Sequence, residues 1–162
     1  NGIEILLPLL PKIDCGIVGE PTLMQMAIAE KGLLVLDCNA EGVAGHAARN
    51  EGVNAIYEAM KDIAWLSTVQ FSKVSCFLGP IHVSVTSINT QNKAHNIVPS
   101  ECSFVVDIRV NELYTFEEII AEIRENVSCE VLPRSTRLKP SFIEENHPLV
   151  KAGSMLGLSS YG

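Results

Sequence analysis

The sequence predicts an α+β domain: an antiparallel four-stranded sheet, plus an N-terminal hairpin arm, with two helices packed on one face in a ferredoxin-like arrangement. Three observations predict it. Apolar residues alternate with period two around Leu34–Ala40, Ile81–Val85 and Cys102–Val110, the mark of strands with one wet face. Two stretches, 52–68 and 115–127, change to a spacing of three and four, the mark of helices with one apolar stripe. Each helix joins strands, so a common sheet face is the place that buries both stripes.

Residues 1–22 have an irregular pattern. Pro8 and Pro11 interrupt an apolar stub, and Cys15-Gly16-Ile17-Val18 reads as a short buried-type strand ending at Gly19-Glu20-Pro21-Thr22. Met24–Glu30, Lys31-Gly32 and Leu33–Glu41 read as a hairpin; in its second arm Leu34, Leu36, Cys38 and Ala40 face inward, with Asp37, Asn39 and Glu41 opposite. Gly42 and Gly45 break this pattern. In the first helix Val53, Ile56, Tyr57, Met60, Ile63 and Ala64 form the expected stripe, with Glu58, Lys61 and Asp62 outward. Gly79-Pro80 marks a turn, the strand at 81–86 follows, and Asn89–Lys93 is a polar loop before the strand at 102–110. Thr115-x-x-Glu118 is a capping box that opens the second helix, whose stripe is Phe116, Ile119, Ile120 and Ile123. Cys129–Arg137 is a last strand that Pro133 confines to an edge or bulged position. The succession of strands and helices resembles the split βαβ arrangement. A linker follows Lys139-Pro140, with a helix start at Pro148.

The chain has 162 residues, 47% hydrophobic and 19% charged, with a net charge of -7. That composition builds a real core, and without a basic cluster it sets aside nucleic acid and anionic membrane partners. The apolar run Ile5–Leu10 is too short to span a bilayer and contains Pro8. The five cysteines, Cys15, Cys38, Cys76, Cys102 and Cys129, are odd in number and widely spaced. They read as small apolar residues of a reducing cytoplasm, not as a disulfide framework. Asn1 in first place and the ending Leu158–Gly162 predict a piece of a longer chain.

Four features carry candidate chemistry. Glu20 precedes Pro21 at a strand end, where extended geometry projects a carboxylate suited to a metal; a solvated or capping glutamate is the alternative. His46 lies among glycines and small residues, where the backbone can approach a ligand and the imidazole can donate to a developing oxyanion; the alternative is a surface histidine. Asn96-Ile97-Val98-Pro99 precedes a strand that places Asp107 and Arg109 on one polar face. Arg109 can grip a carboxylate bidentately or form a local ion pair. His82, His95 and His147 have no metal-ligand spacing and read as structural or exposed, and Glu144-Glu145 reads as solvated linker.

The order of these motifs is more specific than any one of them. Gly19-Glu20-Pro21-Thr22, Gly42-x-x-Gly45-His46-Ala47, Gly52-x-Asn54-Ala55-Ile56, Asn96-Ile97-Val98-Pro99-x-x-Cys102 and Asp107-Ile108-Arg109, taken in sequence, resemble the acetylornithine deacetylase and succinyl-diaminopimelate desuccinylase family. That family also contains aminoacylases, carboxypeptidase-type dizinc peptidases and tripeptidases. The resemblance runs from about residue 14 to residue 139. It implies a lid and dimerisation domain at 23–139, a catalytic-domain flank at 1–22 and a truncated linker back to the catalytic domain at 140–162.

By the same resemblance Glu20 is a zinc ligand, His46 acts in the active site of the partner subunit, and Asn96 and Arg109 hold substrate. The parent enzyme is then a cytoplasmic homodimer with two Zn2+ per active site, or Co2+, and a small N-acyl-amino-acid substrate, first of all acetylornithine. Succinyl-diaminopimelate desuccinylase and a dizinc exopeptidase are the alternatives within the family. This piece alone is expected to be inactive and without tightly bound metal, because the family's other ligands and its Glu-Glu base have no match in these residues. Where the family often has a proline two to four residues after the Gly-His histidine, Asn50 stands here. A stand-alone small-molecule-binding regulatory domain is the reading from another class, and the Gly-Glu-Pro-Thr flank argues against it.

Overall fold

A computed structural model describes residues 2–162. Its centre is a βαββαβ unit: β1 (Gly32–Glu41), α1 (Ala55–Leu66), β2 (His82–Asn89), β3 (Glu101–Val110), α2 (Phe116–Asn126) and β4 (Glu130–Ser135). The sheet order is β2-β3-β1-β4, and every neighbouring pair is antiparallel. Both helices pack against this sheet and contribute to a single core, as the alternation of the sequence requires. Leu34, Leu36, Cys38 and Ala40 of β1 stand opposite Ile108, Val106, Phe104 and Cys102 of β3, all buried.

Both edge strands are bulged. In β2 the register slips by one residue at Thr86, between Val85 opposite Val106 and Ser87 opposite Val105. The slip explains a spacing in the sequence: Val83 and Val85 are two apart, but Ile88 is three further on, and the bulge returns it to the core side opposite Phe104. In β4 the slip falls at Arg134, next to Pro133, so the proline sits on an edge as its missing N–H demands. Arg134 reaches across to β1 and pairs with both carboxylate oxygens of Asp37, each at 2.7 Å. The bulges blunt both edges, and the Arg134–Asp37 pair adds charge at the β4 edge.

α2 follows its sequence pattern. Thr115 accepts from the Glu118 N–H and the Glu118 carboxylate accepts from the Thr115 N–H, closing the capping box. Phe116, Ile119, Ile120 and Ile123 are all buried. α1 departs from its pattern. Its buried residues are Ala55, Ala59, Asp62 and Leu66, whereas Tyr57 is 63% and Met60 55% exposed and Ala64 is also exposed. The helix is rolled by roughly a third of a turn from the expected stripe at ~100° per residue. The two alanines let it lie close on the sheet. Asp62 was expected outward, yet it is only 4% exposed. Its two oxygens accept the N–H groups of Ser128 (3.0 Å) and Cys129 (2.9 Å), which lie between α2 and β4.

The expected hairpin does not form. β1 is flanked by β3 and β4, so Met24–Glu30 has no place beside it. That segment runs on as an extended chain instead, pairing in parallel with Ser160–Tyr161 through Met26–Ala27 and antiparallel with Ser141–Phe142 through Ala29–Glu30. Gly32 is not a turn residue: Pro140 packs where its Cβ would stand. Cys15-Gly16-Ile17-Val18, expected as a buried-type strand, has no regular structure and is exposed, since nothing among the described residues pairs with it. The helix start at Pro148 is present as Pro148–Met155, with His147 as its N-cap. All five cysteines are free; Cys38 and Cys102 are buried, Cys129 partly so, and Cys15 and Cys76 are exposed, contrary to a purely apolar role for those two. A hydrogen bond with Cys38, together with burial, pushes the Cys129 thiol well above its usual range. No helix among the described residues is long and apolar enough to cross a membrane.

Candidate functional site

His46 and Asn96 come together where the chain leaves β1. After Glu41, which pairs with Glu101, the Gly42 N–H donates to the Ser100 carbonyl (2.8 Å), and Gly45-His46 forms a short antiparallel ladder with Ile97-Val98. His46 stands opposite Ile97, and the Ala47 N–H donates to the Asn96 carbonyl (3.0 Å). Both side chains are exposed at this end of the sheet. Beside them lies an open hollow of about 230 Å³ floored by Ala44, Asn92, Ile97 and Pro99.

The glycines near His46 serve a different purpose from the expected one. A Cβ on Gly42 would strike the Val53 carbonyl, one on Gly45 the Glu51 carbonyl, and one on Gly52 (φ +86) the Val43 carbonyl. They admit backbone to backbone, not backbone to ligand. The loop they close is fastened by reciprocal bonds between Val43 and Val53, at 2.8 and 2.9 Å. His46 caps the short 3-10 helix Ala47–Arg49, and its Nδ1 accepts from the Ala48 N–H at 3.2 Å. An imidazole nitrogen that accepts carries no proton, so neutral His46 holds its proton on Nε2, which is left to donate outward. Asn50 ends that turn at φ +54, a left-handed conformation closed to proline, so the departure at this position has a backbone cause.

Arg109 lies elsewhere. It pairs with Leu33 and His82, eight positions along β3 from Glu101 and so about 26 Å away at ~3.3 Å per residue. Its Nε and Nη2 donate to the two oxygens of Asp107, at 2.8 and 3.2 Å. The local ion pair therefore forms, and it leaves Nη1 and half of Nη2 for other acceptors. This is the end of the sheet where the flanking segments meet it: the Leu33 N–H donates to the Leu138 carbonyl, and Glu20 precedes the extended Met26–Glu30 stretch. Glu20 is exposed. Among the described residues no three His, Cys, Asp or Glu side chains are grouped to hold a metal ion. A zinc site takes three or four protein ligands, so these residues do not fit one by themselves. His82 and His95 are exposed, and His147 has the structural role of a helix cap.

Asn92 and Asp62 are two of the polar residues whose role the sequence does not disclose. The first lay in a stretch read as loop, although Asn followed two residues later by a turn is an Asx signature. The second had no local signal, because its partners are far along the chain.

A βαββαβ unit with His46 and Asn96 at one end of its sheet and Arg109 at the other is an α+β domain of four antiparallel strands and two helices. Residues 28–134 match the family model described as the peptidase dimerisation domain, and the chain belongs to this M20 family. It is similar to succinyl-diaminopimelate desuccinylase of Dinoroseobacter shibae, with 29% identity over 125 residues covering 74% of this chain and 33% of that protein. The desuccinylase of Orientia tsutsugamushi is 26% identical over 160 residues, covering 86% and 41%. This chain thus spans between a third and two fifths of the length of these curated relatives. In fold it resembles aminopeptidase PepT from Bacillus cereus (TM-score 0.64, 16% identity, 84% of this chain and 38% of that one). It also resembles a tripeptidase from Staphylococcus aureus (TM-score 0.63, 20% identity, 85% and 39%).

Proposed function

We propose that this chain is the dimerisation and lid domain, residues 23–139 with flanks at 1–22 and 140–162, of a metal-dependent amidohydrolase that removes an N-acyl group from an amino acid. The acetylornithine reading gives way to an N-succinyl amino acid, because the relatives just named are desuccinylases. The observation that carries the proposal is the separation of the site residues. His46 and Asn96 are adjacent beyond the Glu101 end of β3, and Arg109 is at its opposite end, about 26 Å from Glu101, too far to meet one small substrate within a single chain. Two copies solve this: Arg109 serves the site of its own subunit, while His46 and Asn96 reach the site of the partner. There Nε2–H of His46 donates to the oxyanion that forms when the amide is attacked, and the Asn96 amide and the Arg109 guanidinium hold the substrate's carboxylate. Glu20 is one ligand of a zinc site completed by residues outside this chain, and the enzyme works in the cytoplasm.

The surface that joins the copies is the β2 edge with the neighbouring side of α1. Asp62 faces Ser128 and Cys129 on one flank of α1, so Ile56, Met60 and Ile63 point to the other flank, above β2. The β2 edge, bulged only at Thr86, and the helix side where Met60 is exposed beside half-buried Ile56 and Ile63 form a self-complementary patch suited to a two-fold axis.

The test is a mixed dimer of the full-length enzyme. One subunit carries His46→Ala and the other Arg109→Ala, and N-succinyl-LL-diaminopimelate and N-acetylornithine are offered in turn. Either homodimer has every site damaged. In the heterodimer one site combines an intact Arg109 with an intact partner His46, so the expected result is recovery to about half of the wild-type activity per dimer. Verified heterodimers no more active than the homodimers would overturn the assignment.

A further inference from the structure

The turn Ala94–Ile97 carries Asn96, and a side chain outside the turn holds it. The turn's own bond, Ile97 N–H to the Ala94 carbonyl, is long at 3.3 Å. Asn92 supplies what that bond lacks. Its Oδ1 accepts from the Ala94 N–H (3.1 Å), and its Nδ2 donates to the Ile97 carbonyl (2.7 Å) and to the Ala94 carbonyl (3.3 Å). One carboxamide therefore grips both ends of the turn. Asn92 is itself tied to the sheet, its N–H reaching Thr90 Oγ1 (3.4 Å), which donates to the Glu101 carbonyl at the start of β3 (3.0 Å). The Asn96 side chain makes no hydrogen bond among the described residues, so its direction is set through the backbone of this turn alone.

We infer that Asn92 is a positioning residue, which locks the Ala94–Ile97 turn so that the Asn96 amide is presented to the substrate. The inference rests on the reading above that Asn96 holds substrate. Only a carboxamide of this length supplies an acceptor for Ala94 and donors for Ile97 together. An aspartate has acceptors only and would set a negative charge against the Ile97 carbonyl, and an alanine has neither group.

The experiment is a double-mutant cycle in the full-length enzyme, with Asn92→Asp and Asn96→Ala made singly and together. It is joined by amide exchange at Ala47, whose N–H reports the docking of the turn through the Asn96 carbonyl. Asn92→Asp is expected to lower kcat/KM by about tenfold, the effect of a lost hydrogen bond, and to hasten exchange at Ala47 while amides of β3 keep their protection. In the Asn96→Ala background the same change is expected to cost less than twofold, because the residue it acts through is gone. A merely structural role would give the same loss in both backgrounds and would overturn the inference, as would wild-type kcat/KM for Asn92→Asp. If Asn92→Asp does not fold, Asn92→Ser, which keeps a neutral acceptor without the amide donors, carries the same expectations. Asn96→Ala alone within twofold of wild type would instead remove the reading beneath and the inference with it, and that single variant identifies the case.

Discussion

At the scale of the residue, Asp62 and Met60 occupy the places that hydropathy assigns to each other. Asp62 is inside α1's contact with the body because two backbone N–H groups, those of Ser128 and Cys129, need an acceptor there. A carboxylate serves both at once, and without it both lose a charged acceptor at a half-buried junction, where Ser128 is exposed and Cys129 partly buried. Asp62→Ala is therefore expected to lower the stability of the domain by about 3 kcal/mol, and Asp62→Asn, which keeps one good acceptor, by about half as much. Urea unfolding of the three proteins checks this, and equal midpoints would show that the two N–H groups find other partners. His46 makes a second residue-scale case. Its Nδ1 is occupied by the Ala48 N–H, so the neutral ring carries its proton on Nε2, the atom proposed above to donate to the oxyanion. In the full-length enzyme His46→Ala is expected to lower kcat by roughly 10²–10³-fold with little change in KM, the effect of one lost oxyanion donor. A change confined to KM would place the residue in ground-state binding instead.

At the scale of the element, the β4 edge and the first turn of α2 are held by ionised carboxylates. The guanidinium of Arg134, hydrogen-bonded to Asp37, holds that carboxyl below its ordinary range. The Thr115 N–H, and after it Lys73, do the same for Glu118. A carboxyl whose pKa is depressed by folding stabilises the fold above its unfolded pKa, and loses that contribution as pH falls through the lower, folded value. The domain is thus expected to lose stability as pH drops through and below the usual carboxylate range. Arg134→Ala should flatten that decline in urea midpoints measured against pH, and added salt should do so too, since the pair is about half exposed. A slope unchanged by Arg134→Ala would mean that other carboxylates govern acid unfolding. The capping box was legible in the sequence because its two partners are three residues apart. The edge position of β4 was legible from Pro133 for the same local reason.

At the scale of the whole molecule, the roll of α1 turns an expected core stripe into an outer face. Tyr57 and Met60 are exposed, and Met60, two residues from Asp62, lies on the opposite side of the helix from it. If that face joins two copies, a charge placed in it must be desolvated on association. Met60→Glu is expected to convert the dimer to a monomer at micromolar concentration in light scattering, with unchanged far-ultraviolet circular dichroism because the side chain is outside the core. A Met60→Glu protein that stays dimeric would move the interface elsewhere. The same scale separates His46 and Asn96 from Arg109, which no motif spacing discloses: Asn96 and Arg109 are close in sequence, yet β3 carries them to opposite ends.

The sequence by itself determined the succession of strands and helices from residue 32 to 135, the core face of β1, β3 and α2, the capping box of α2, and which residues are candidates for chemistry. Those properties depend on periods and pairs within a few residues of one another, so local reading reaches them. Only the tertiary structure decided the roll of α1, the partners of Met24–Glu30, the work of the glycines around His46 and the grouping of the site. Each of these is a contact between distant segments: Asp62 with Ser128 and Cys129, Gly32 with Pro140, Met26 with Ser160. Hydropathy along the chain cannot show that two alanines bring a helix close enough to bury a carboxylate. That outcome belongs to the fit of the helix on the sheet and to backbone groups 66 and 67 residues away that must be satisfied.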